Sequence, residues 1–290
     1  MKKLSKKPLN GLKGEVTIPS DKSISHRAVI LSSLANGKSV IKNFSNGEDP
    51  KSSLDVCKNL GLDAQLKSNE LIIKSTGKFQ APQEPLNCGN SGTTMRFMAG
   101  ILSGQSFSST LTGDESLSKR PMKRIIEPLT LMGARISAEN YKAPLKIYGQ
   151  ELHAITYSSK LASAQVKSCI LLAGLNCDGK TIFSEPYLSR NHTEIMLKAM
   201  GCNIETCNST VTIEKSELKP LNIEISGDIS SAAYFIAAGL IVPNSKIILK
   251  NVGLNPTRCG IIEVVKQMGG NIEILDKKEV KAGGFSYWRL

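Results

Sequence analysis

The chain has 290 residues, of which 40% are hydrophobic and 21% are charged, a balance typical of a globular protein with more than one domain. Lysine and arginine number 37 against 25 aspartates and glutamates, and the resulting net charge of +12 favours an anionic partner. Apart from four lysines near the N-terminus, the basic residues are scattered and no aromatic platform accompanies them. We therefore expect small anionic ligands and no nucleic acid.

The cysteine and hydropathy patterns indicate the cellular compartment of the protein. Seven cysteines are present, an odd number without a Cys-x-x-Cys pair, together with only three histidines. This composition disfavours a zinc site and favours a reducing compartment. No apolar run approaches the roughly 20 residues of a membrane span, and the N-terminus lacks a signal-peptide core. We expect a cytoplasmic protein without a metal, a cofactor or a membrane partner.

The first notable segment along the chain is Pro19–Arg27, with the sequence PSDKSISHR. It places Lys22, Arg27 and two hydroxyl groups at the predicted start of an apolar helix. Free N–H groups and the positive end of the helix dipole meet there, which favours an anion. The alternative is an ordinary capped helix with solvated charges, because serine and aspartate are common N-caps.

Two helix patterns recur along the chain with a period of roughly 70 residues. In the first, a predicted helix ends in a Leu-Gly or Met-Gly pair before an alternating strand, and the glycine supplies a left-handed C-terminal position. These glycines are Gly61, Gly133, Gly201 and Gly269. In the second, an apolar helix begins with a serine and leads through a glycine into another strand. These serines are Ser25, Ser91, Ser163 and Ser230.

One repeat therefore reads helix, strand, linker, helix, glycine and strand. It is longer than the units of solenoid proteins, so we expect repeated subdomains and no rod. The first helix of each repeat is apolar nearly all round and should lie in an interior, whereas the second is amphipathic and should lie nearer solvent. This arrangement has central helices wrapped by sheets, the reverse of Rossmann layering.

The segment Gly174–Thr181, GLNCDGKT, matches the P-loop pattern G-x-x-x-x-G-K-[ST] letter for letter. A P-loop follows a strand and opens a helix, whereas this segment follows an apolar helix and opens a strand. We therefore interpret it as a turn without a nucleotide.

Two further segments carry groups suited to anions. Asn90–Arg96, NSGTTMR, places a glycine between small hydroxyl residues at a helix start, where a ligand can approach the backbone closely. Gly113–Arg124 is a basic loop in which Arg120 precedes Pro121, and the extended conformation before proline suits a guanidinium aimed at carboxylate or phosphate. The alternatives are a capped helix and a solvated loop.

The third repeat offers comparable groups. Ser163–Gln165 begins an apolar helix, and Ser189–Glu194, SRNHTE, precedes the amphipathic one. Asn191 or Thr193 serves equally well as a simple helix cap. Three successive repeats nevertheless place serine, lysine or arginine at equivalent helix starts, which favours a shared anion site.

Taken in this order and spacing, the motifs resemble those of 5-enolpyruvylshikimate-3-phosphate synthases. They are PSDKSISHR, NSGTTMRF, SKRPM, SAQVKSCILLAGL, SRNHTEIM and GDISSAAYFIAAGL with NPTRCG. The resemblance implies an α/β fold, an inside-out α/β barrel (enolpyruvyl transferase-like) of βαβαββ units, with four of the family's six present. It assigns residues 21–225 to a complete second domain of three units and residues 1–20 with 226–290 to part of the first.

The same resemblance implies a reaction and a set of site residues. Family members transfer the enolpyruvyl group of phosphoenolpyruvate to the 5-hydroxyl of shikimate 3-phosphate and release phosphate, a step toward chorismate and the aromatic amino acids. Lys22 is implied to be catalytic and to touch both substrates. The implied substrate-binding residues are Lys22, Ser23, Arg27, Gly92, Arg120, Ser163, Gln165 and either Ser189 or Arg190. The resemblance implies no cofactor and no metal, and a monomer for a complete chain.

The chain also departs from the family pattern. Two repeats, with the family's aspartate base, are missing, and the tail KAGGFSYWRL is unlike the rest, so we expect a truncation or frameshift shortly after Gly284. An inactive homologue that retains shikimate 3-phosphate binding is therefore an alternative. A UDP-N-acetylglucosamine enolpyruvyl transferase is disfavoured, because Ser23 replaces its asparagine and the SKRPM segment lacks its loop cysteine. A basic nucleic-acid-binding protein is supported by net charge alone.

Overall fold

The computed structural model describes residues 10–276 and the backbone of residues 278–282 and 285–289. The chain divides into two compact units. The large unit comprises Lys22–Glu224, and the small unit comprises the residues up to Asp21 together with most residues from Ile225 onward. The tail in which the sequence predicts a truncation lies outside the residues whose side chains are described.

The secondary structure alternates helices and strands along the whole described chain. The helices are α1 Lys22–Ser33, α2 Glu48–Asn59, α3 Gly92–Ser103, α4 Glu115–Ser118, α5 Lys123–Leu131, α6 Ala164–Gly174, α7 His192–Ala199, α8 Ile229–Ile241 and α9 Gly260–Gln267. The strands are β1 Lys13–Thr17, β2 Asn36–Lys42, β3 Asp63–Lys67, β4 Glu70–Thr76, β5 Leu86–Asn87, β6 Ser108–Thr112, β7 Arg135–Ser137, β8 Leu145–Tyr148, β9 Thr156–Ser158, β10 Lys180–Ser184, β11 Ile204–Cys207, β12 Thr210–Glu214, β13 Asn222–Glu224, β14 Lys246–Lys250, β15 Lys278–Ala282 and β16 Phe285–Arg289.

The large unit contains three equivalent four-stranded sheets. Their strand orders are β13-β2-β4-β3, β5-β6-β8-β7 and β9-β10-β12-β11. In each sheet a parallel pair comes first, and the remaining two strands are added antiparallel. The repeat that the sequence predicts is therefore present three times in this unit.

The strand that completes the first sheet comes from an unexpected place in the chain. By position, β1 precedes α1 just as β5 precedes α3, yet β1 pairs with β14 in the small unit, from Lys13 opposite Lys246 to Thr17 opposite Lys250. β13, which follows the third repeat, takes the equivalent place beside β2 instead, with Asn222 opposite Val40. The end of the third repeat thus closes the sheet of the first.

The first helix of each repeat in the large unit lies in the interior, which confirms the expectation drawn from its uniform apolarity. Every residue of α1 from Ser25 onward is buried, and so is every residue of α6 from Val166 onward. α3 and α6 pack closely at Gly100, where an added Cβ would lie 2.3 Å from the backbone oxygen of Cys169. Only glycine permits this approach of the two helix backbones.

The glycines predicted to end the second helices all adopt left-handed backbone conformations. Their φ angles are +93° at Gly61, +96° at Gly133, +83° at Gly201 and +80° at Gly269. A residue with a side chain would lose roughly 1–2 kcal/mol in this conformation. The predicted helix ends are therefore confirmed at all four positions.

The predicted helix starts are confirmed next to Ser91, Ser163 and Ser230, each within one residue. The hydroxyls of Ser91 and Ser163 accept from the backbone N–H groups of Thr94 and Val166, over 3.1 and 3.4 Å, as N-caps do. The prediction near Ser25 is wrong by three residues. α1 already begins at Lys22, and the buried Ser25 hydroxyl instead accepts from the amide of Ser45.

α8 begins at Ile229, next to Ser230 as predicted, but its cap is not a serine. Asp228 is the N-cap, and its carboxylate accepts from the Ser230 amide over 2.9 Å. Aspartate and serine are comparably good N-caps, so the sequence alone does not show which of Asp228 and Ser230 caps α8.

The small unit holds the β1–β14 pair, α8 and α9 around a compact apolar core. This core comprises Ile18, Ile229, Ala232, Ile236, Val252, Leu254 and Ile262. The expectation that α8 is buried all round is wrong for the described residues, because Tyr234 and Ile241 are 81% and 78% exposed.

Residues 271–276 also differ from the expectation, since they form no strand. The equivalent strands β3, β7 and β11 each pair with an antiparallel neighbour, and no described strand pairs with 271–276. Without a neighbouring strand, the backbone N–H and C=O groups of an extended segment have no inter-strand hydrogen-bond partners, so the extended conformation is not stabilised. These residues line a cleft of about 860 Å³ with α8 and β14.

The P-loop-like segment is a turn between a helix and a strand, as its context indicates. α6 ends at Gly174 and β10 begins at Lys180, so no helix N-terminus follows the pattern. The Lys180 ammonium lies 3.2 Å from a carboxylate oxygen of Glu214.

None of the described helices is both long and apolar enough to cross a bilayer.

Candidate anion-binding site

The N-terminal ends of α1, α3, α6 and α7 are joined by side-chain hydrogen bonds. Arg27 donates from Nε to the hydroxyl of Thr193 over 2.7 Å, which links α1 to α7. Arg96 donates to Oε1 of Gln165 over 2.7 Å, and Gln165 donates back to the hydroxyl of Thr93 over 2.9 Å, which links α3 to α6. Each helix start carries free N–H groups and a positive partial charge, so their convergence suits an anion.

Two predicted residues lie in the first turn of α1. The Lys22 ammonium lies 3.0 Å from a carboxylate oxygen of Asp49 on α2, with 55% of its side chain exposed. The Ser23 hydroxyl accepts a hydrogen bond from the guanidinium of Arg190. The structure therefore brings Arg190 to Ser23 and leaves Lys22 accessible to a ligand.

Arg27 lies deeper and is 2% exposed. It donates to the Thr193 hydroxyl, to the backbone oxygen of Ser23 over 3.0 Å and to the Ser168 hydroxyl over 3.2 Å. Its guanidinium also lies 4.9 Å from the centre of the Phe97 ring. A buried charge is stable only when hydrogen-bonded in this way, and these contacts reach α6, α7 and α3.

Gly92, the first residue of α3, permits two guanidinium groups to approach the helix start. An added Cβ would lie 2.7 Å from Nη1 of Arg96 and 3.4 Å from Nη1 of Arg120. Arg120 also donates to the side-chain oxygen of Asn90, whose amide donates to Asp114 over 2.6 Å. The predicted pair Gly92 and Arg120 is therefore brought together, with Arg96 beside it.

The charges around Arg96 repel one another. Burial is the larger cause that lowers the pKa of Arg96, and the positive charges of Arg120 and Arg124 lower it further. An arginine stays protonated even so, and the electrostatic cost persists until an anion binds. Arg96 belongs to the quoted motif NSGTTMRF, but sequence analysis did not assign it a role. Its position one helical turn after Gly92 was the available signal.

Ser163 and Gln165 occupy the start of α6. Besides capping the helix with its hydroxyl, Ser163 donates from its backbone N–H to Oε2 of Glu185 over 3.1 Å. Gln165 bridges Arg96 and Thr93 on α3. Ser163 therefore contacts its own repeat at this helix end, whereas Gln165 contacts the second repeat.

Ser189 and Arg190 contact different partners. The amide and the hydroxyl of Ser189 each donate to Oε1 of Glu185 over 2.8 Å. Arg190 instead reaches across to Ser23 on α1. Both residues therefore lie at the site, with different partners.

A buried ion cluster under these serines was missed by sequence analysis. Lys167 has no exposed side-chain surface, and its ammonium lies 2.8 Å from Oε1 of Glu185 and 2.8 Å from Oε1 of Glu194. Burial alone would raise the pKa of Glu185, but hydrogen bonds from Lys167 and Ser189 outweigh it and lower that pKa. The signal was a lysine inside the otherwise apolar stretch VKSCILL, because such a charge needs partners.

A chain of buried polar groups runs from α1 to α3. Nδ1 of His26 lies 2.7 Å from the Ser53 hydroxyl, which lies 2.7 Å from the Thr94 hydroxyl. Burial, followed by the positive charges of Arg27 and Lys22, lowers the pKa of His26 to about 3. The imidazole is therefore neutral at neutral pH.

The chemistry of the site is that of fixed cations and hydroxyls around exposed helix N-termini. Among the described residues, no group of three histidine, cysteine, aspartate or glutamate side chains has an arrangement that could hold a metal ion. The arrangement can bind phosphate and carboxylate groups and stabilise negative charge that develops between them.

Comparisons with known proteins give the same fold and the same family. Residues 6–287 match the sequence profile described as EPSP synthase (3-phosphoshikimate 1-carboxyvinyltransferase). The chain is 48% identical over 278 residues to 3-phosphoshikimate 1-carboxyvinyltransferase of Geotalea uraniireducens, covering 94% of this chain and 65% of the relative. It is 49% identical over 282 residues to the enzyme of that name from Bacillus pumilus, covering 96% and 64%.

A solved structure of EPSP synthase from Acinetobacter baumannii matches with a TM-score of 0.89 and 41% identity, covering 97% of this chain and 64% of that one. This match confirms the predicted enolpyruvyl transferase-like α/β fold class. The chain spans about two thirds, 64–65%, of the length of the first curated relatives that it matches. The chain belongs to the EPSP synthase (3-phosphoshikimate 1-carboxyvinyltransferase) family.

Proposed function

We propose that the chain serves the transfer of the enolpyruvyl group of phosphoenolpyruvate to the 5-hydroxyl of shikimate 3-phosphate, with release of phosphate. The observation that carries the proposal is the convergence of the motif residues at the starts of α1, α3, α6 and α7. The relatives' names describe this activity. The product leads toward chorismate and the aromatic amino acids.

Shikimate 3-phosphate binds, in this proposal, where α1, α6 and the loop before α7 meet. Ser23 and Ser163 supply groups at two helix starts, and Ser189 and Arg190 border the same place. In the unliganded chain the Arg190 guanidinium donates to the Ser23 hydroxyl. When the phosphate binds, each of the two side chains exchanges this hydrogen bond for one to a phosphate oxygen. Arg27 contributes its charge from the interior and holds Ser23 through its backbone oxygen.

Phosphoenolpyruvate binds, in this proposal, at the start of α3. Gly92 lets the ligand reach the backbone, and Arg120 and Arg96 offer guanidinium groups to its phosphate and carboxylate. Gln165 lies between the two ligands, because it contacts α3 from the start of α6. The like charges near Arg96 favour an anion over an empty site.

Lys22 is the proposed catalytic residue. The 5-hydroxyl oxygen attacks C2 of phosphoenolpyruvate and gives up its proton, while C3 takes up a proton. The resulting tetrahedral species then expels phosphate and loses a proton from C3, which restores the carbon–carbon double bond. An exposed ammonium on a four-carbon stem can reach the reacting atoms, and closure of the site around it would favour proton transfer. The fixed arginines stabilise the charge without a covalent enzyme species.

The remaining parts of the proposal concern organisation and setting. We propose that residues 21–225 form a complete second domain of three repeats and that residues 1–20 with 226–290 form part of the first domain. We propose a cytoplasmic location, supported by the odd number of seven cysteines, no binding of nucleic acid or membranes, and a monomer for a complete chain. An inactive homologue that still binds shikimate 3-phosphate is the second candidate, supported by the position of Ser23, Ser163 and Arg190 of the proposed phosphate pocket within residues 21–225.

The test combines turnover with binding. Phosphate release is followed with both substrates, and shikimate 3-phosphate binding is measured by calorimetry, for the chain and for Lys22→Met. Lys51→Met is the matched control, since Lys51 makes a similar 3.0 Å ion pair with Glu48 on α2. Turnover that is lost only in Lys22→Met supports the transferase. Binding without turnover supports the inactive homologue, and no metabolite binding contradicts both.

A further inference from the structure

One carboxylate lies beneath both serines of the proposed phosphate pocket. Glu185 is 4% exposed and follows β10 directly. Its Oε2 accepts from the Ser163 amide over 3.1 Å, and its Oε1 accepts from the amide and the hydroxyl of Ser189 over 2.8 Å each. A single side chain therefore fixes the distance between the start of α6 and the loop before α7.

Lys167 holds this carboxylate from the side of α6. Its ammonium donates to Oε1 of Glu185 over 2.8 Å and to the backbone oxygen of Ser189 over 3.3 Å, and it lies 2.8 Å from Glu194. An uncompensated carboxylate so close to a bound phosphate would repel it. The buried ammonium reduces this repulsion and adds a third connection to the Ser189 loop.

We propose that Glu185 is a positioning residue for the phosphate of the ligand, acting through Ser163 and Ser189 and held in place by Lys167. The inference rests on the proposed function. In the unliganded chain the Ser189 hydroxyl donates to Glu185. When the phosphate binds, this hydroxyl rotates to donate to a phosphate oxygen. The hydrogen bonds from the backbone amides of Ser163 and Ser189 to Glu185 then keep the two serines at a fixed separation. Glu185 thereby favours phosphorylated over unphosphorylated ligands.

A carboxylate is the side chain that this position requires. Both oxygens of Glu185 accept from N–H donors, at Ser163 on one side and at Ser189 and Lys167 on the other. A glutamine has one oxygen and one NH₂ group, so its nitrogen would face a donor in either orientation. Glu185→Gln therefore preserves volume and removes one set of hydrogen bonds.

Calorimetry with shikimate 3-phosphate and with shikimate tests the inference in the full chain. Glu185→Gln and Ser189→Ala should each weaken shikimate 3-phosphate binding about tenfold and leave shikimate binding within about twofold. The double variant should lose less affinity than the product of the two single losses, because part of the effect of Glu185 acts through Ser189. Glu214→Gln, a partly exposed glutamate on β12 of the same sheet, is the control and should change neither affinity.

A ligand-free measurement separates this inference from the proposed function. Amide hydrogen exchange at Ser163 and Ser189 should be at least about tenfold faster in Glu185→Gln, with the amides of β12 unchanged. If the parent chain binds neither ligand, the proposed function fails and the exchange rates still decide the role of Glu185. Unchanged exchange, effects that multiply in the double variant, or equal losses for both ligands would each overturn the inference.

Discussion

Arg96 on α3 donates from Nη1 to Oε1 of Gln165 on α6 over 2.7 Å, which joins the second and third repeats where their interior helices begin. The bond fixes the orientation of the Gln165 amide, so its nitrogen faces the Thr93 hydroxyl 2.9 Å away. The proposed ligand groups of two repeats therefore depend on one guanidinium. Four expectations follow from this arrangement and from the buried groups around it.

Replacing Arg96 by lysine keeps the positive charge but removes the fork of donors. We expect phosphoenolpyruvate binding to weaken roughly tenfold, because the bond to Gln165 is lost and the amide is free to turn. Titration calorimetry checks this. Arg124→Lys is the control, since Arg124 is exposed nearby. Equal effects of the two substitutions would contradict a specific role for Arg96.

Replacing Gly92 by alanine places a methyl group 2.7 Å from Nη1 of Arg96. The guanidinium is the far end of a flexible side chain, so it shifts and the stability of the fold changes by less than about 1 kcal/mol. Phosphoenolpyruvate binding should weaken at least about tenfold, while shikimate 3-phosphate binding stays near its parent value. Gly260→Ala is the matched control, because Gly260 also begins a helix and its added Cβ would meet nothing within 4 Å. A stable variant with normal phosphoenolpyruvate affinity would contradict the prediction.

The stability of the chain should fall as the pH drops below 6.5, because of His26. Its pKa is about 3 in the folded chain and about 6.5 when unfolded, so below pH 6.5 only the unfolded chain binds the proton. The loss is about 1.4 kcal/mol per pH unit, or about 2 kcal/mol at pH 5 relative to pH 8.

Urea unfolding at several pH values measures this slope in the parent chain and in His26→Gln. The variant should show a flatter profile between pH 5 and 6.5, since its side chain does not titrate. His153→Gln, at an exposed position, should keep the parent profile. Glu185 also loses stabilisation on acidification, because its folded pKa is lowered, but only below its unfolded pKa near 4.3. An unchanged slope in His26→Gln would rule out His26 as the cause.

Removing the charge of Lys167 should destabilise the chain strongly. Lys167→Met leaves Glu185 and Glu194 buried without their cation, and breaking a buried ion pair in this way costs about 3–5 kcal/mol. Lys215→Met is the control, because the Lys215–Asp178 pair is exposed and solvent screens most of its attraction. Chemical denaturation compares the two, and similar losses would contradict the prediction.

The local features of the fold could be predicted from sequence because they depend on neighbouring residues. The left-handed glycines at Gly61 and Gly133 and the caps at Ser91 and Ser163 follow from backbone sterics and from hydrogen bonds within one helical turn. The start of α1 was misplaced because several residues of Pro19–Arg27 are good caps and sequence alone does not rank them.

The convergence of the motif segments could be predicted from sequence, but most of their contacts could not. Lys22, Ser23 and Gly92 were named because their motifs resemble a known family. Arg96 and Glu185 were missed, since their contacts join segments that are distant in sequence. A lysine such as Lys167 in an apolar helix signals a buried partner but does not say which one.

Sequence by itself determined the repeat, the interior helices of the large unit and the helix ends, because periodicity and backbone conformation are local properties. Tertiary structure alone decided that β13 completes the first sheet while β1 pairs with β14. The sequences of β1 and β13 do not show which of the two strands pairs with β2. It alone also placed Glu185 beneath Ser163 and Ser189. Hydrogen bonds between distant segments depend on how whole helices and sheets pack, and that packing is settled only when the complete unit buries its apolar surface.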